Sequence, residues 1–453
     1  MSLMVTVWRT EEAARAQYVP FLREQAPGPF QCAGWLHHYW DSIRRPQGAR
    51  AFFIGVFRAG EMVAFAPFAL TKLGGGVTRL GFATDGRADR QGIAGECSAE
   101  VLAAVRDALR AAPQPLVADW RELADGDPLL TLLPGAETMT VQGCPYRVLT
   151  PGTAEASKSN KKFQQRIPSY ERRLNALGPY EFRTIDCDTQ RAEALELLPR
   201  LFEIHDLRHA AKRNAWKKDS NREFLLSLLR DELPSHLMAF VSYVDGVPVA
   251  FDLGFRHGST FTLYIPAFHP AFEKYRLGHV NRARSYEACL RMGLELYDFS
   301  RGRSFAKQVW AHGEVLSYDC IAPVGGSWRA RLAARLLSGS RRLIAWSRAQ
   351  GYNQKLGAWR EKLVRPAAQK PAPAAALAWA GARPLRYRLI QDLPVDVMTR
   401  LAEYVFALER NAGLELEWTD SCTLRVSNQE AEPLMLHLPG ATGNLQETAL
   451  ARR

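Results

Sequence analysis

The clearest hydrophobic pattern lies in residues 257–310, which predict a strand, a loop, a helix, a second strand and a turn. Aromatic and β-branched residues dominate 261–268, as is typical of a strand. Residues 295–299 predict a second, buried strand, and the basic turn 300–303 follows it. Between the strands, helical spacing over 279–292 places four apolar residues on one face: Val280, Ala283, Tyr286 and Leu290.

The same order of elements occurs earlier in the chain. Residues 51–57 and 62–70 predict a hairpin around the turn Ala59-Gly60, and 238–255 predict another around Asp245-Gly246. A loop, a helix (98–111) and a buried strand (116–120) follow the first hairpin, as they follow the second. We interpret this as an internal duplication with a spacing of about 190 residues. It predicts an α/β fold with two tandem domains, each a mixed sheet with helices on both faces.

Composition and charge narrow the function classes. The chain has 453 residues, 47% of them hydrophobic, which predicts globular packing. No signal peptide or membrane-length apolar segment is found, so we expect a cytoplasmic protein. Seven cysteines without paired spacing predict neither disulfides nor a zinc site. The formal net charge of +12 calls for an anionic partner.

A candidate anion site precedes the helix at 279–292. Lys274, Arg276, Gly278 and His279 form a basic, glycine-containing loop at the positive end of that helix, a place suited to a pyrophosphate. An ordinary strand-to-helix turn is the alternative. The corresponding first-half loop, 85–96, mixes acids with bases and makes a poorer cradle, which favours the second half.

Several short motifs follow one another in a characteristic order in the second half of the predicted duplication. They are Gly246-Val247-Pro248-Val249-Ala250, Tyr264, His269-Pro270, Leu277-Gly278, Gly293, Asp298, Gly302, Lys307 and Trp310. In this order and spacing the chain resembles the acetyltransferase-like proteins associated with bacterial cellulose biosynthesis. These belong to the GNAT superfamily of acyl-CoA-dependent transferases, whose relatives include Fem-type peptidoglycan transferases. The strict Gln/Arg-x-x-Gly-x-Gly/Ala pattern is absent, and Ala306 replaces an aromatic residue before Lys307.

The resemblance implies tandem GNAT-like domains (1–150 and 151–325) and acetyl-CoA or another acyl-CoA as co-substrate. Such a reaction needs a base for the acceptor, stabilisation of the carbonyl oxygen and a proton for the thiolate. Candidate catalytic residues are His205, Asp252, Tyr264 and Asp298. Candidate substrate-binding residues are Arg208, Lys307 and Trp310. Each has a structural alternative, such as a core tyrosine or a capping aspartate.

Two histidines of a predicted helix over 199–213 raise the question of a metal. His205 and His209 are four residues apart and share a helical face. A carboxylate ligand and a third ligand are not evident, so we expect no metal there. His205 is instead a candidate general base, with a surface or capping histidine as the alternative.

The remainder of the chain changes character. Residues 326–365 predict basic amphipathic helices with a break at Gly339, either lying on an anionic membrane or packing on the preceding domain. Residues 366–384 predict an Ala/Pro-rich linker. Residues 385–453 predict a small α+β module, with a helix over 398–408 and three strands, suited to docking a protein partner.

Three functional hypotheses therefore remain. The first is an acyl-CoA-dependent N- or O-acyltransferase that serves envelope or exopolysaccharide synthesis, with a sugar, a lipid-linked saccharide or a protein amine as acceptor. The second is a Fem-like transferase that uses aminoacyl-tRNA, the one case in which a nucleic acid would be a partner. The third is a scaffold that kept the fold but lost its chemistry. The protein is expected in the cytoplasm, either free or peripheral at the inner membrane.

Overall fold

A computed structural model describes residues 2–149, 158–209 and 218–349 and five short strands beyond them. The helices are α1 (Glu11–Gln25), α2 (Ala33–Tyr39), α3 (Ala99–Arg110), α4 (Leu129–Leu132), α5 (Lys158–Asn175), α6 (Arg191–Arg208), α7 (Asp219–Arg230), α8 (Leu277–Arg291), α9 (Phe305–Gln308) and α10 (Trp328–Ala349). The first thirteen strands are β1 (Leu3–Trp8), β2 (Arg50–Arg58), β3 (Glu61–Gly74), β4 (Val77–Phe82), β5 (Ala94–Gly95), β6 (Leu116–Ala124), β7 (Glu137–Val148), β8 (Tyr180–Asp186), β9 (Leu237–Val244), β10 (Val247–His257), β11 (Thr260–Phe268), β12 (Leu296–Asp298) and β13 (Gly313–Val324).

One long mixed sheet organises the molecule and confirms the predicted α/β class. It has 13 strands in the order β1-β2-β3-β4-β6-β13-β7-β12-β11-β10-β9-β8, with β5 beside β3. Two neighbouring pairs are parallel, β4 with β6 and β11 with β12, and the other pairs are antiparallel. The two arms of the sheet therefore repeat one topology from the outer edges to the centre.

The repeat includes an exchange of strands at the centre. β7 follows the first arm in sequence but pairs with β12 in the second, and β13 follows the second arm but pairs with β6 in the first. β7 and β13 also pair with each other. Counterpart strands begin roughly 180 residues apart, for example Val77 and Thr260, close to the expected spacing.

Large aromatic side chains connect the two halves. Trp35 and Tyr39 of α2 are buried, and the ring of Trp35 lies 4.8 Å from Phe224 of α7 and 5.3 Å from Phe255 of β10. These distances are typical of edge-to-face packing. These aromatic side chains therefore belong to the core that the two halves share.

Some local expectations were wrong. α10 continues through Gly339, because its small residues Ala330, Ala334 and Ser338 pack against the body of the protein and outweigh the roughly 1 kcal/mol cost of one helical glycine. The predicted helix over 199–213 begins earlier, at Arg191, and Pro199 lies inside it.

In the C-terminal region, the structure describes five short strands. The expected linker contains β14 (Ala376–Ala380), which pairs with β15 (Pro384–Arg388), so it is not wholly irregular. The three predicted strands of the small module are present as β16 (Glu415–Trp418), β17 (Thr423–Asn428) and β18 (Ala431–His437). The helix predicted at 398–408 lies outside the described residues. Within the described residues, no helix has both the length and the apolarity to cross a bilayer.

Candidate functional site

The parallel strands β11 and β12 separate at the centre of the sheet. They pair only from Thr260 with Leu296 to Thr262 with Asp298, and β11 then continues to Phe268 paired with β10 but no longer with β12. After Asp298 the chain turns sharply at Ser300, whose φ of 61° is left-handed. Side chains that follow the last pair therefore border an opening in the sheet.

A cavity of about 210 Å³ lies between the first half (1–150) and the second half (151–325) of the duplication. The boundary between the halves is called the seam, and this cavity the seam cavity. The loop after β4 contributes two of its lining residues, β11 contributes one, and the segment after β12 contributes three. They are Arg87, Asp89, Tyr264, Ser300, Arg301 and Lys307. The cavity is smaller than typical cofactor pockets and fits a single polar group of a substrate.

Charges in this cavity are paired across the seam. Arg301 contacts Asp89 at 2.7 Å and Glu122 at 3.1 Å, and Ser300 donates a hydrogen bond to Asp89. Lys307 Nζ donates to the backbone oxygen of Arg301 at 2.6 Å. Lys307 thus brings an ammonium group into the cavity, where the carboxylate of Asp89 also lies.

Burial changes the protonation behaviour of this group of residues. It lowers the pKa of Lys307 to about 8, although Asp89 and Asp298 counteract the shift. Burial also raises the pKa of Asp298, against the effect of Arg90 at 2.9 Å. Desolvation keeps Tyr264 protonated by raising its pKa, and its hydroxyl donates to the Arg87 carbonyl at 3.0 Å. Tyr264 and Lys307, both predicted from sequence, thus line one cavity. Asp298 is buried behind this lining, where it accepts the N–H of Ser300 at 2.8 Å.

A second feature is the start of α8, which follows β11 after the connecting segment 269–276. Among the described residues, no side chain caps this helix, and no acid lies in its first turn. The equivalent helix of the first half, α3, differs because Ser98 caps it and Glu100 lies in its first turn. Helix N-termini attract anions unless side chains already satisfy them. The start of α8 is therefore the better anion site.

Cations surround the start of α8. Arg276, the residue before the helix, is exposed and left-handed, with a φ of 56°. Arg173 and Lys274 lie 5.2 Å and 5.1 Å from the ring of Tyr275. Arg208 stacks over Phe268 at 4.2 Å. The predicted residues Lys274, Arg276 and Arg208 thus lie near the start of α8 together with Arg173, and Arg208 also forms an ion pair with Glu273 at 3.6 Å.

Gly278 and His279 have structural contacts at this helix start. A Cβ on Gly278 would lie 2.9 Å from the Phe268 ring, so glycine permits the close approach of α8 to β11. Trp310 Nε1 donates to His279 Nδ1 at 3.1 Å, and burial lowers the His279 pKa to about 4. His279 is therefore neutral at pH 7 and can offer hydrogen bonds but no charge.

Two predicted catalytic residues lie apart from the cavity lining. Asp252 is buried in a bidentate ion pair with Arg282, both contacts being 2.8 Å. These contacts favour a structural role for Asp252. His205 is buried in α6, where its ring lies 4.7 Å from His209 and its Nδ1 lies 3.9 Å from Asp206.

Sequence reasoning did not assign Arg87, Asp89, Ser300, Arg301 or Glu122 to the site. From the sequence, the first-half loop 85–96 is predicted only to be a poorer anion site than the second-half loop. Its alternating acids and bases are the one sequence feature that could have indicated its role, because acidic residues in such a loop can pair with a basic turn elsewhere in the chain.

Comparison with known proteins adds a domain assignment. Residues 161–308 match the family model of the acetyltransferase (GNAT) domain. This segment contains most of α5, all of α6 to α9 and β8 to β12, including the start of α8 and Lys307. The domain that these elements form therefore has a GNAT-type fold. A comparison with curated proteins gives no match.

Three solved structures illustrate the similarity of the backbone to known proteins. FemX has a TM-score of 0.47 at 14% identity, covering 71% of this chain and 97% of its own. L-PGS from Bacillus licheniformis has a TM-score of 0.45 at 12% identity, and the match covers 72% of this chain and 97% of L-PGS. A tandem GNAT protein from the clavulanic acid biosynthesis pathway has a TM-score of 0.36 at 13% identity, and the match covers 72% of this chain and 100% of that protein. All three scores are below 0.5, so they carry no functional weight.

Proposed function

We propose that this protein is an acyl-CoA-dependent N- or O-acyltransferase, with acetyl-CoA as the simplest donor. The observation that carries the proposal is the contrast between the two equivalent helix starts. α3 is capped by Ser98 and has an acid in its first turn, whereas α8 is preceded by Arg276 and lies within the segment that matches the GNAT domain model.

The donor and the acceptor would use different parts of this site. The pyrophosphate of the donor binds the first amides of α8, with Lys274, Arg276 and Arg208 supplying positive charge. The acyl group enters the opening between β11 and β12 and reaches the seam cavity. The acceptor nitrogen or oxygen attacks the thioester carbonyl there, the carbon–sulfur bond breaks, and the proton lost by the acceptor ends on the CoA thiol.

Lys307 is the residue best suited to assist that attack. At pH 7 its ammonium group is charged, because its pKa of about 8 lies above the ambient pH. A positive charge in a partly buried cavity stabilises the oxyanion that forms as the carbonyl is attacked. Tyr264 lines the same cavity, Asp298 lies close enough to act on the charge of Lys307, and both remain candidates for proton transfer. The ion pair of Asp252 with Arg282 supports a structural role for Asp252 instead.

Calorimetric titration with acetyl-CoA and a longer acyl-CoA tests this proposal. Arg276→Gly is the informative variant, because it removes the cation and relieves the left-handed backbone at once, so binding can fall without loss of stability. Arg291→Ala is the matched control, since Arg291 is an exposed arginine at the opposite end of the same helix. We expect saturable binding that only Arg276→Gly weakens. No binding at millimolar ligand would refute the acyl-CoA proposal and favour the scaffold hypothesis.

A second candidate function is transfer from aminoacyl-tRNA. The basic surface favours it, because Arg173 and Lys274 flank Tyr275 beyond the helix start and extend the positive charge. Binding that depends on many phosphate contacts weakens steeply with salt. Tight, strongly salt-dependent binding of aminoacyl-tRNA, together with weak binding of acetyl-CoA, would select this function.

The setting of the reaction follows from the resemblance and from the surface of α10. We propose a saccharide, lipid-linked or protein acceptor of envelope or exopolysaccharide synthesis, reached from the cytoplasmic side. Exposed apolar side chains recur along α10, and arginines lie among them. This combination suits adsorption to an anionic bilayer. The exposed side chains include Trp328, Leu332, Leu336, Leu343 and Ile344.

A further inference from the structure

Three potential metal ligands meet outside the seam cavity. Cys32 directly precedes α2, His236 directly precedes β9, and His257 is the last residue of β10. One ligand atom from each lies within 4.8 Å of the other two. Cysteine and histidine are preferred zinc ligands. Roughly 200 residues separate Cys32 from the histidines, so sequence spacing could not show the group.

The contact between Cys32 and His257 has the dimensions of a coordination site. The Sγ–Nδ1 distance is 3.8 Å. A tetrahedral zinc with its usual bonds to sulfur and nitrogen would hold these atoms about 3.6 Å apart. A small movement of one side chain would therefore bring both atoms to bonding distance from a single ion.

A hydrogen bond orients the His257 ring in the way that a metal ligand requires. Its Nε2 lies 2.9 Å from the backbone oxygen of Ala26, which can only accept a hydrogen bond. Nε2 is therefore the donor, and Nδ1 is the ring nitrogen that faces Cys32 and would bind the metal. A histidine ligand oriented by a hydrogen bond from its other nitrogen is the usual arrangement at protein metal sites.

His236 is held in an unusual backbone conformation. Its φ is 57°, in the left-handed region that non-glycine residues rarely occupy. Asp188 accepts its N–H at 2.9 Å, and the N–H of Arg256 donates to its carbonyl at 2.8 Å. These bonds hold the ring 5.6 Å from that of His257. Such strain persists only where neighbouring contacts maintain it, and it often marks functional positions.

We propose that Cys32, His236 and His257 bind one divalent transition-metal ion, with zinc as the best match. The Cys32 thiol releases its proton to solvent as the sulfur–metal bond forms, and two neutral imidazoles complete the protein ligands. Water takes the fourth position. The carboxylate of Asp188, which accepts the His236 N–H at 2.9 Å, adds a negative charge next to this place.

The ion would connect the two halves of the molecule. Cys32 belongs to the first half, whereas His236 and His257 belong to the hairpin of the second. A metal that binds the folded protein better than the unfolded chain stabilises the fold. Two other groups of potential ligands, around His37, are weaker candidates because Asp41 and Asp231 are already in ion pairs with Arg45 and Arg15.

Cobalt substitution tests the site in the full-length protein. The purified protein is stripped with a chelator and titrated with Co²⁺, and the sulfur-to-cobalt charge-transfer band in the near ultraviolet is recorded. We expect one equivalent of Co²⁺ with this band, displaced by Zn²⁺. We also expect Zn²⁺ to raise the unfolding temperature. Absence of the band from the wild-type protein would refute the site.

Variants identify the ligands. Cys32→Ser should abolish the band, and His257→Gln should weaken Zn²⁺ binding by more than about a hundredfold, since even outer-shell losses cost roughly 10–100-fold. Cys97→Ser, at an exposed cysteine elsewhere, is the matched control and should behave as the wild type. Circular dichroism of each variant establishes that it is folded. A band that survives in Cys32→Ser, or disappears in Cys97→Ser, would contradict the assignment.

Discussion

Replacement of Asp252 distinguishes a structural from a catalytic carboxylate. Asp252 is 2% exposed and accepts bonds from Arg282 Nε and Nη2, both at 2.8 Å, from Ser285 at 3.1 Å and from Tyr297 at 3.3 Å. Arg282 is 9% exposed and lies against the rings of Tyr297 and Phe299 at 5.5 and 5.4 Å. The guanidinium group therefore has no short path to water if its partner is lost.

The magnitude follows from that burial. Removing one partner of a buried ion pair leaves an uncompensated charge and costs about 3–5 kcal/mol. We expect Asp252→Ala to lower the free energy of unfolding by this amount. Asp252→Asn should cost less, because it keeps the shape and one acceptor oxygen. Glu181→Ala is the control, since Glu181 pairs with Arg183 where both side chains are 51% exposed, and it should cost under about 1 kcal/mol.

Urea unfolding, followed by circular dichroism, measures these differences. A loss below about 1 kcal/mol in Asp252→Ala would refute the structural role. So would an Asp252→Asn protein with wild-type stability that binds acetyl-CoA normally but no longer turns it over, because that pattern identifies a base.

Three further predictions concern other parts of the molecule. Burial lowers the pKa of Lys307 to about 8, so between pH 8 and 10.5 the unfolded chain binds more protons than the native state. Lys307 therefore makes the free energy of unfolding rise with pH in this range. Lys307→Met should stabilise the protein more at pH 7 than at pH 10, and equal effects in urea unfolding would contradict this. A methyl group at Gly254 would overlap a backbone oxygen of β11, so Gly254→Ala should cost about 1–3 kcal/mol by the same method, whereas Gly326→Ala, in open space, should be near neutral. Leu336→Glu combined with Leu343→Glu should abolish sedimentation with anionic vesicles, and unchanged sedimentation would exclude α10 as the contact.

The sequence predicts the elements of the sheet better than the site, for physical reasons. Hairpins such as 51–70 follow from local alternation and turn residues, and β2 and β3 form as expected. The central exchange of β7 and β13 does not follow, because strand pairing across such distances is set by the whole fold. The seam cavity depends on that exchange and on a loop distant in sequence, so Arg87 and Asp89 were not expected beside Tyr264.

The chemical role of a residue can likewise be predicted only where neighbouring residues in the sequence determine that role. The basic start of α8 is visible in the sequence, because the cations and glycine are adjacent. The ion pair of Asp252 is not visible, since Arg282 lies on another element and burial decides its role. The sequence shows that a carboxylate is present, but whether that carboxylate can react depends on which hydrogen-bond donors contact it in the fold.

Hydrogen exchange of the wild-type protein, with and without acetyl-CoA, tests the central claim most directly. If the donor binds at the start of α8, amides around Arg276, Leu277 and Gly278 should exchange more slowly with ligand, and the start of α3 should be unaffected. Protection at the start of α3, or no change at the start of α8 with saturating ligand, would contradict the assignment of the acyl-CoA site to the second half.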